Sequence, residues 1–181
     1  MARRLDDRTD LHANMAGRAE DFTRDYILGN QTHATATRLG AKPTGHWEKS
    51  AKLIYSRSDG EKATVGIPRS TGLGRAFADV TIRPKAGRKF LTVPGHPDTY
   101  GKAVADFAEG TFRFAILYAH RPFPVLLFAK GANEGRVAYW LRKEVSQRQD
   151  RTLLPSRGDY AAVALRAARE WLSEAERGDT A

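Results

Sequence analysis

The sequence of 181 residues contains no cysteine and no long apolar run. The missing cysteines exclude disulfides, thiolate zinc sites, iron–sulfur clusters and a cysteine nucleophile, and they fit a reducing compartment. The longest apolar stretches are FAILYA (residues 114–119) and PVLLFA (residues 124–129), whereas a membrane-spanning helix needs about 20 apolar residues. The basic N-terminus MARRLDDRTDLH precedes no apolar segment, unlike a signal peptide. We therefore expect a soluble protein with no membrane partner, synthesised in the cytoplasm.

Acidic residues are too few to balance the basic ones. The chain has 30 lysines and arginines against 21 acidic residues, so its net charge is +9. The basic residues are spread along the chain, and the densest group is RPKAGRK at residues 83–89. Such a charge favours a surface that lies near nucleic acid. A basic nucleic-acid-binding module is accordingly one of the functions that the sequence allows.

Apolar residues at helical spacing predict a helix near each end of the chain. The first extends over about residues 7–28 and stops at Gly29 and Asn30, since glycine and asparagine favour helix ends. The second extends over about residues 158–176, with Trp171 beside its apolar stripe. The predicted apolar faces are Leu11, Met15, Phe22 and Tyr26 in the first helix, and Ala161, Ala164, Leu165, Ala168 and Leu172 in the second.

The segment GAKPTGHWEKSAKLIYS, at residues 40–56, combines features of a phosphate loop with those of a helix. It lacks the Gly-Lys-Ser/Thr of a phosphate-binding loop. Pro43 disfavours helix before it, Thr44 is a suitable N-cap, and Glu48 lies in the first turn. We therefore predict a short capped helix whose apolar stripe is Trp47, Ala51 and Ile54.

Alternating apolar residues predict a set of short strands. A hairpin turn at KAG is predicted between the second and third of them, and two apolar runs, TFRFAILYA and PVLLFAKG, are predicted as central strands. The fold class is therefore α+β: a mainly antiparallel sheet on which a long N-terminal helix, a short second helix and a C-terminal helix pack. We expect a single domain over residues 1–181, with flexible ends at about 1–6 and 177–181. The predicted strands are residues 62–68, 78–84, 89–94, 111–119, 124–131 and 136–147; for the last of these a helix is the alternative, and the alternation of Val137, Tyr139 and Leu141 favours a strand.

No motif of known catalytic or metal-binding spacing is present. The five histidines form no His-Glu-x-x-His pair, and no Gly-x-Ser-x-Gly elbow occurs. The glycine-rich STGLGR is not a dinucleotide motif, because Phe77 stands where the third glycine belongs. We predict no catalytic, cofactor-binding or metal-binding residue, and no cofactor. A small hydrolase-type enzyme is the weaker alternative, and it would need a carboxylate beside His33, His46, His96 or His120.

Four segments, taken in order, resemble a group of bacteriophage and prophage virion-morphogenesis proteins, similar to the tail-completion or neck proteins of Mu-like phages. In addition, Pro-Thr-Gly at residues 43–45 followed by KSAKLI, and RPF at residues 121–123, resemble elements of the small head–tail joining proteins of long-tailed phages. The four segments are HATATRLGAKPTGHWEKSAKLI, FADVTIRPKAGRKFLTVP, YWLRKEVSQRQDRTLLP and DYAAVALRAAREWL.

The resemblance implies a structural virion protein rather than an enzyme. It implies a homo-oligomeric ring, such as a hexamer or dodecamer, in the neck or at the tail terminus of the virion, where the protein contacts the connector or portal on one side and the tail tube on the other. Double-stranded DNA passes through such a ring without sequence-specific contacts. The station stays open between tail terminator, connector stopper and completion factor. Two basic loops, PRSTGLGRAF and RPKAGRK, are the candidates for reaching a neighbouring subunit or the DNA channel; their basic residues are Arg69, Arg75, Arg83, Lys85, Arg88 and Lys89.

Overall fold

A computed structural model describes residues 8–30, 33–118 and 122–178. The described chain divides into two compact units. Unit 1 contains the described residues of 1–31, 45–78 and 149–181, and unit 2 contains those of 32–44 and 79–148. Compactness does not test independent folding, so the single domain stays a prediction. The predicted flexible segment 1–6 and residues 179–181 of the predicted tail lie outside the described residues, while residues 177 and 178 belong to a helix.

The described elements confirm the α+β fold class, with a long N-terminal helix, a C-terminal helix and antiparallel sheets. The helices are α1 (Thr9–Asn30), α2 (Ala34–Leu39), α3 (His46–Lys52) and α4 (Arg157–Gly178). The strands are β1 (Tyr55–Ser58), β2 (Ala63–Gly66), β3 (Val80–Ile82), β4 (Leu91–Pro94), β5 (Phe112–Tyr118), β6 (Pro122–Phe128), β7 (Val137–Arg142) and β8 (Val145–Gln147). Single 3₁₀ turns lie at Arg69–Thr71, Leu73–Ala76, Pro97–Thr99, Val104–Asp106 and Arg151–Leu153.

The core of unit 1 is formed by residues that are far apart in the sequence. Ile27 of α1, Ile54 after α3, Leu73 and Leu153 are almost completely buried and belong to one cluster, against which Trp47 packs. The apolar stripe predicted for α3 is thus confirmed, since Ala51 belongs to the same cluster.

The start of α3 differs from the prediction. Its N-cap is Gly45, at a φ of +67°, and no side chain caps the helix. The Thr44 cap is therefore wrong. The methyl group of Thr44 lies instead against Gly101 within unit 2, where a β-carbon would collide with it.

The faces predicted for the two long helices are shifted by about one residue. In α1 the buried residues are Ala16, Thr23 and Ile27. In α4 they are Ala167 and Trp171, whereas the predicted Leu165 and Leu172 are 54% and 40% exposed. The buried positions hold both small residues, such as Ala16 and Ala167, and the larger Ile27 and Trp171. The large apolar residues that dominate the sequence pattern lie at the margins.

Helix α2 and strand β1 were not predicted, and the single strand predicted over residues 136–147 is divided into β7 and β8. Helix α2 occupies the segment that the sequence indicates as polar, and it ends at Gly40, whose φ is +66°. Strand β1 follows α3 where the sequence indicates only the end of a helix, and it pairs with β2 in an antiparallel register. Both are too short to carry a periodic signal of their own.

Unit 2 contains a four-stranded antiparallel sheet in the order β4-β7-β6-β5 and a separate β3-β8 pair. The predicted hairpin between β3 and β4 is wrong, because β3 pairs with β8 and β4 pairs with β7. The turn between them exists, with Gly87 at a φ of +82°, but the strand partners come from distant segments. Strand β5, predicted as central, is the outermost described strand of the sheet.

Candidate functional site

One face of the four-stranded sheet carries a cluster of aromatic side chains. Phe112 lies directly opposite Phe128, and Leu126 lies directly opposite Tyr139. Residues that are directly opposite on neighbouring strands share a face of the sheet. Tyr139 is fully buried, and its ring centroid lies 5.5 Å from that of Phe112.

The segment 96–107 covers this end of the face. The Phe107 ring stacks edge-on to Phe112 at 4.9 Å between centroids. The Tyr139 hydroxyl donates a hydrogen bond to the Lys102 carbonyl at 3.0 Å, and the Thr99 hydroxyl donates to the Ala138 carbonyl at 2.8 Å. Burial raises the pKa of Tyr139 above the ordinary tyrosine value. The covered end is therefore a packed core with its polar atoms paired.

The same face continues along β5 without cover. Phe114, Ile116 and Tyr118 follow Phe112 at every second residue and are 58%, 44% and 81% exposed. No described strand pairs with the outer edge of β5. The strand has seven residues, and its single charged residue is Arg113. Long apolar edge strands readily pair with another chain, and proteins usually protect them with charges, proline or a covering segment.

A groove of about 760 Å³ lies on this face beside the covered core. Leu126 and Leu141 form its floor, as they lie on the face that also carries Phe114. Residues 82–85, 88–92 and 103–105 complete its lining. Four of the six basic residues predicted from the sequence line this groove: Arg83, Lys85, Arg88 and Lys89.

The four basic side chains differ in their contacts. Arg83 forms an ion pair with Glu144 at 3.2 Å. Lys89 places its Nζ 5.7 Å from the centroid of the Phe90 ring. Lys85 and Arg88 form no ion pair with any described residue, and the Arg88 amide donates to the Lys85 carbonyl at 3.0 Å, which closes the turn that carries them. Two cations at the rim are thus available to a ligand.

The other two predicted basic residues belong to unit 1. Arg69 and Arg75 lie in successive 3₁₀ turns. Arg75 is tied to Asp150 twice, since its guanidinium lies 3.6 Å from that carboxylate and its carbonyl accepts from the Asp150 amide at 2.8 Å. Hydrogen bonds from Thr152 and then the charge of Arg75 lower the pKa of Asp150. Arg75 therefore has a structural role within unit 1, and the six residues do not form one cluster.

A second cleft, of about 640 Å³, lies within unit 1 between α1, β2 and α4. Its lining is mainly apolar and includes Met15, Val65 and Phe77. Tyr160 at its margin bonds to Thr23 at 2.8 Å, and burial raises the pKa of this tyrosine. This hydrogen bond joins α1 to α4.

Two of the histidines that the sequence offered for chemistry, and two acids, have structural partners. His46 lies against Trp47 with 4.9 Å between ring centroids, and His96 lies edge-on to Phe128 at 5.1 Å. Asp98 accepts a hydrogen bond from Asn133, and Asp106 accepts one from the Ala103 amide. In residues 8–30, 33–118 and 122–178, no group of three or more histidines and acids is arranged to hold a metal. His120 and Arg121 lie outside the described residues.

Comparison of the chain with protein-family models, with curated proteins and with solved structures gives no match. Among the described helices, none is both long enough and apolar enough to cross a membrane. The function must therefore be argued from the surfaces of the molecule itself.

Sequence reasoning missed the uncovered end of the sheet, although a signal for it exists. The run of β5 is aromatic and aliphatic at almost every position, which favours a strand covered on both faces. Its paired strand β6, however, begins with Pro122 and has Pro124 two residues on, directly opposite Tyr118 and Ile116. Proline is rare in central strands, so these two residues indicate that this end of the sheet lies at a margin.

Proposed function

We propose that this protein is a structural component of a tailed phage or prophage-like particle, which assembles into a ring in the neck or at the tail terminus and joins capsid and tail around the DNA path. The observation that carries the proposal is the uncovered edge of β5. The resemblance to virion-morphogenesis proteins supports it and supplies the location.

The edge of β5 has the properties of an assembly surface. Its outer backbone groups are open to strand addition, and Phe114, Ile116 and Tyr118 offer an apolar face beside them. A second chain that adds a strand here gains backbone hydrogen bonds and covers these side chains at once. Repeated head-to-tail contacts of this kind between identical subunits close into a ring when the rotation per subunit fits.

The charge of the protein fits a ring around DNA. A net charge of +9 lowers the electrostatic cost of subunits that surround a polyanion. Contacts with phosphates alone carry no sequence information, which agrees with DNA that passes through a channel.

The test begins with purified particles from the source and a strain that lacks this gene. We expect mass spectrometry to find a small, fixed number of copies per particle. Electron microscopy of the deletion strain should show heads and tails that fail to join, or tails of abnormal length. Absence of the protein from particles, together with normal virions in the deletion strain, would overturn the proposal.

A pair of variants then connects this function to β5. The deletion strain is complemented with Ile116→Lys, which places a charge on the exposed face of the edge strand, or with Leu165→Lys, a matched change at an exposed leucine of α4. We expect joined particles with Leu165→Lys and unjoined ones with Ile116→Lys. Equal infectivity of the two strains would show that the function does not depend on the edge of β5.

A basic nucleic-acid-binding module is the second candidate, and the unpaired cations Lys85 and Arg88 favour it. It predicts that the free monomer binds DNA with an affinity that falls steeply with salt. Affinity that is weak and unaffected by salt would argue against it.

A further inference from the structure

We propose that the groove of unit 2 binds an acidic polypeptide segment that carries an apolar anchor residue. The proposal deepens the proposed function and rests on it in one respect, namely that an assembly partner supplies the segment. The binding chemistry itself follows from the groove, and it assigns Lys85 and Arg88 to a protein interface rather than to a DNA channel.

The floor of the groove favours the binding of an apolar side chain. Leu126 and Leu141 are neighbours on one face of the sheet, and Val104 stands beside them. Leu141 is 8% exposed, so the strand that carries it is firmly packed. A volume of about 760 Å³ accommodates several side chains. A leucine or phenylalanine inserted here would exclude water from the floor, as anchor residues do at the centres of interfaces.

The rim selects negative charge. Arg83, Lys85, Arg88 and Lys89 all line the groove, and no acidic residue does so in the part of the chain that the structure describes. Glu144 compensates Arg83 alone. The other three cations, beside a concave apolar surface, create a positive potential that attracts carboxylates and orients the segment that bears them.

The combination of floor and rim favours a polypeptide over a nucleic acid. Phosphates require cations and N–H donors but gain nothing from a floor of leucines. Single strands bind on aromatic platforms, and the one aromatic residue that lines the groove among the described residues is Phe90, which Lys89 already covers. A peptide with acidic and apolar residues in alternation uses both features of the groove.

The test measures the binding of a labelled peptide to the full chain by fluorescence anisotropy. The probe is a peptide of four Glu-Leu repeats; the controls are four Glu-Ser repeats, a 20-nucleotide poly-dT strand and a 20-base-pair duplex. We expect the Glu-Leu peptide to bind most tightly. The double variant Lys85→Glu, Arg88→Glu should weaken its binding by about tenfold or more, while the matched Lys62→Glu, Arg69→Glu in unit 1 leaves it unchanged.

Each alternative outcome overturns the proposal. Equal affinity for the Glu-Ser and Glu-Leu peptides means that the leucine floor is not used. Tighter binding of either DNA, lost in the Lys85, Arg88 variant, makes the rim a nucleic-acid site. Weaker binding of the Glu-Leu peptide in both double variants means that the peptide responds to the net charge of the protein and not to the groove. Thermal unfolding of each variant shows that it is folded. Val104→Ser changes the apolar lining without a change of charge and should weaken the binding of the Glu-Leu peptide. The peptide assay uses the free protein and tests the groove, whereas the particle experiments test the virion function. Failure of one is therefore distinguishable from failure of the other.

Discussion

Unit 1 and unit 2 cover their apolar residues to different extents. In unit 1, side chains from α1, α3, the turn at Leu73 and the segment before α4 meet in one cluster, and the large apolar residues left at the surface are scattered over several elements. In unit 2 the segment 96–107 closes one end of the sheet, while β5 leaves three large apolar side chains exposed in a row. Single exposed apolar residues are normal on protein surfaces, but a contiguous row on an edge strand marks a contact surface.

The polar atoms show the same contrast. The Thr23 hydroxyl in unit 1 is fully buried and donates to the Ala19 carbonyl at 2.6 Å, so the Tyr160 hydroxyl must donate to Thr23. Ser50 donates to the Thr71 carbonyl at 3.0 Å. In unit 2 the backbone groups on the outer edge of β5 have no strand partner among the described residues. These two side chains of unit 1 are thus paired within the unit, whereas the outer edge of β5 in unit 2 is open to strand addition.

The largest expected difference comes from deleting an apolar side chain in each unit. Leu73→Ala in the core of unit 1 should lower the free energy of unfolding by about 2–5 kcal/mol, because it leaves a cavity at a fully buried position. Phe114→Ala in β5 should change it by no more than about 0.5 kcal/mol, since that ring is already largely in water. Urea denaturation measures both. A comparable loss for Phe114→Ala would show that the ring is covered and would remove the contrast between the units.

The cost of backbone strain at a left-handed glycine should be the same in the two units. In this respect it should differ from the burial of apolar side chains, which is unequal between them. Gly45 in unit 1 and Gly40 in unit 2 have φ values of +67° and +66°. Replacement of either by alanine should cost about 1–2 kcal/mol, because a β-carbon disfavours this conformation. Gly17, inside α1 with open space around it, should respond in the opposite direction and gain about 0.5–1 kcal/mol as alanine. Thermal melts of the three variants test this; unequal costs at Gly45 and Gly40 would mean that more than local strain is involved.

Loss of the tyrosine hydroxyl should matter at the partly buried Tyr160 of unit 1 but not at the exposed Tyr118 of unit 2. Tyr160→Phe leaves the Thr23 oxygen without its donor and should lower the free energy of unfolding by about 0.5–1.5 kcal/mol. Tyr118→Phe in unit 2 should have almost no effect, because its hydroxyl is exposed to water. Paired denaturation curves distinguish the two, and an intact stability of Tyr160→Phe would argue that the hydrogen bond makes no net contribution.

The smallest expected effect is on the pH dependence of unit 1. Folding lowers the pKa of Asp150, so its contribution to stability is present above the unfolded pKa of about 3.9 and is lost as pH falls through the folded value. The melting temperature of Asp150→Asn should therefore lie below that of the parent protein near neutral pH and approach it below about pH 4. In a Trp140→Phe background, fluorescence comes from Trp47 and Trp171, both in unit 1. A difference in melting temperature that stays constant down to pH 2 would contradict this origin.

Prediction from the sequence succeeded where a signal is local and long. The two 22-residue helices were predicted to within two residues at each end, because many turns of periodic sequence contribute to them. It failed at Thr44, where a suitable cap residue is used for packing elsewhere, and at the hairpin between β3 and β4, where a suitable turn connects strands with other partners. The candidate site was predicted in part: the basic segment 83–89 was identified, but the groove and the edge of β5 were not.

The sequence by itself determined the fold class, the two long helices, the positive charge and the absence of cysteine chemistry, since all of these follow from composition and from periods of two or three to four residues. The tertiary structure alone decided which face of each helix is buried, which strands pair, and that β5 is left at an edge. These outcomes depend on contacts between segments far apart in the chain, such as Thr23 with Tyr160 and β3 with β8. Local sequence patterns contain no information about which distant residue completes such a contact, and the exposed row on β5 exists only because no described segment completes it.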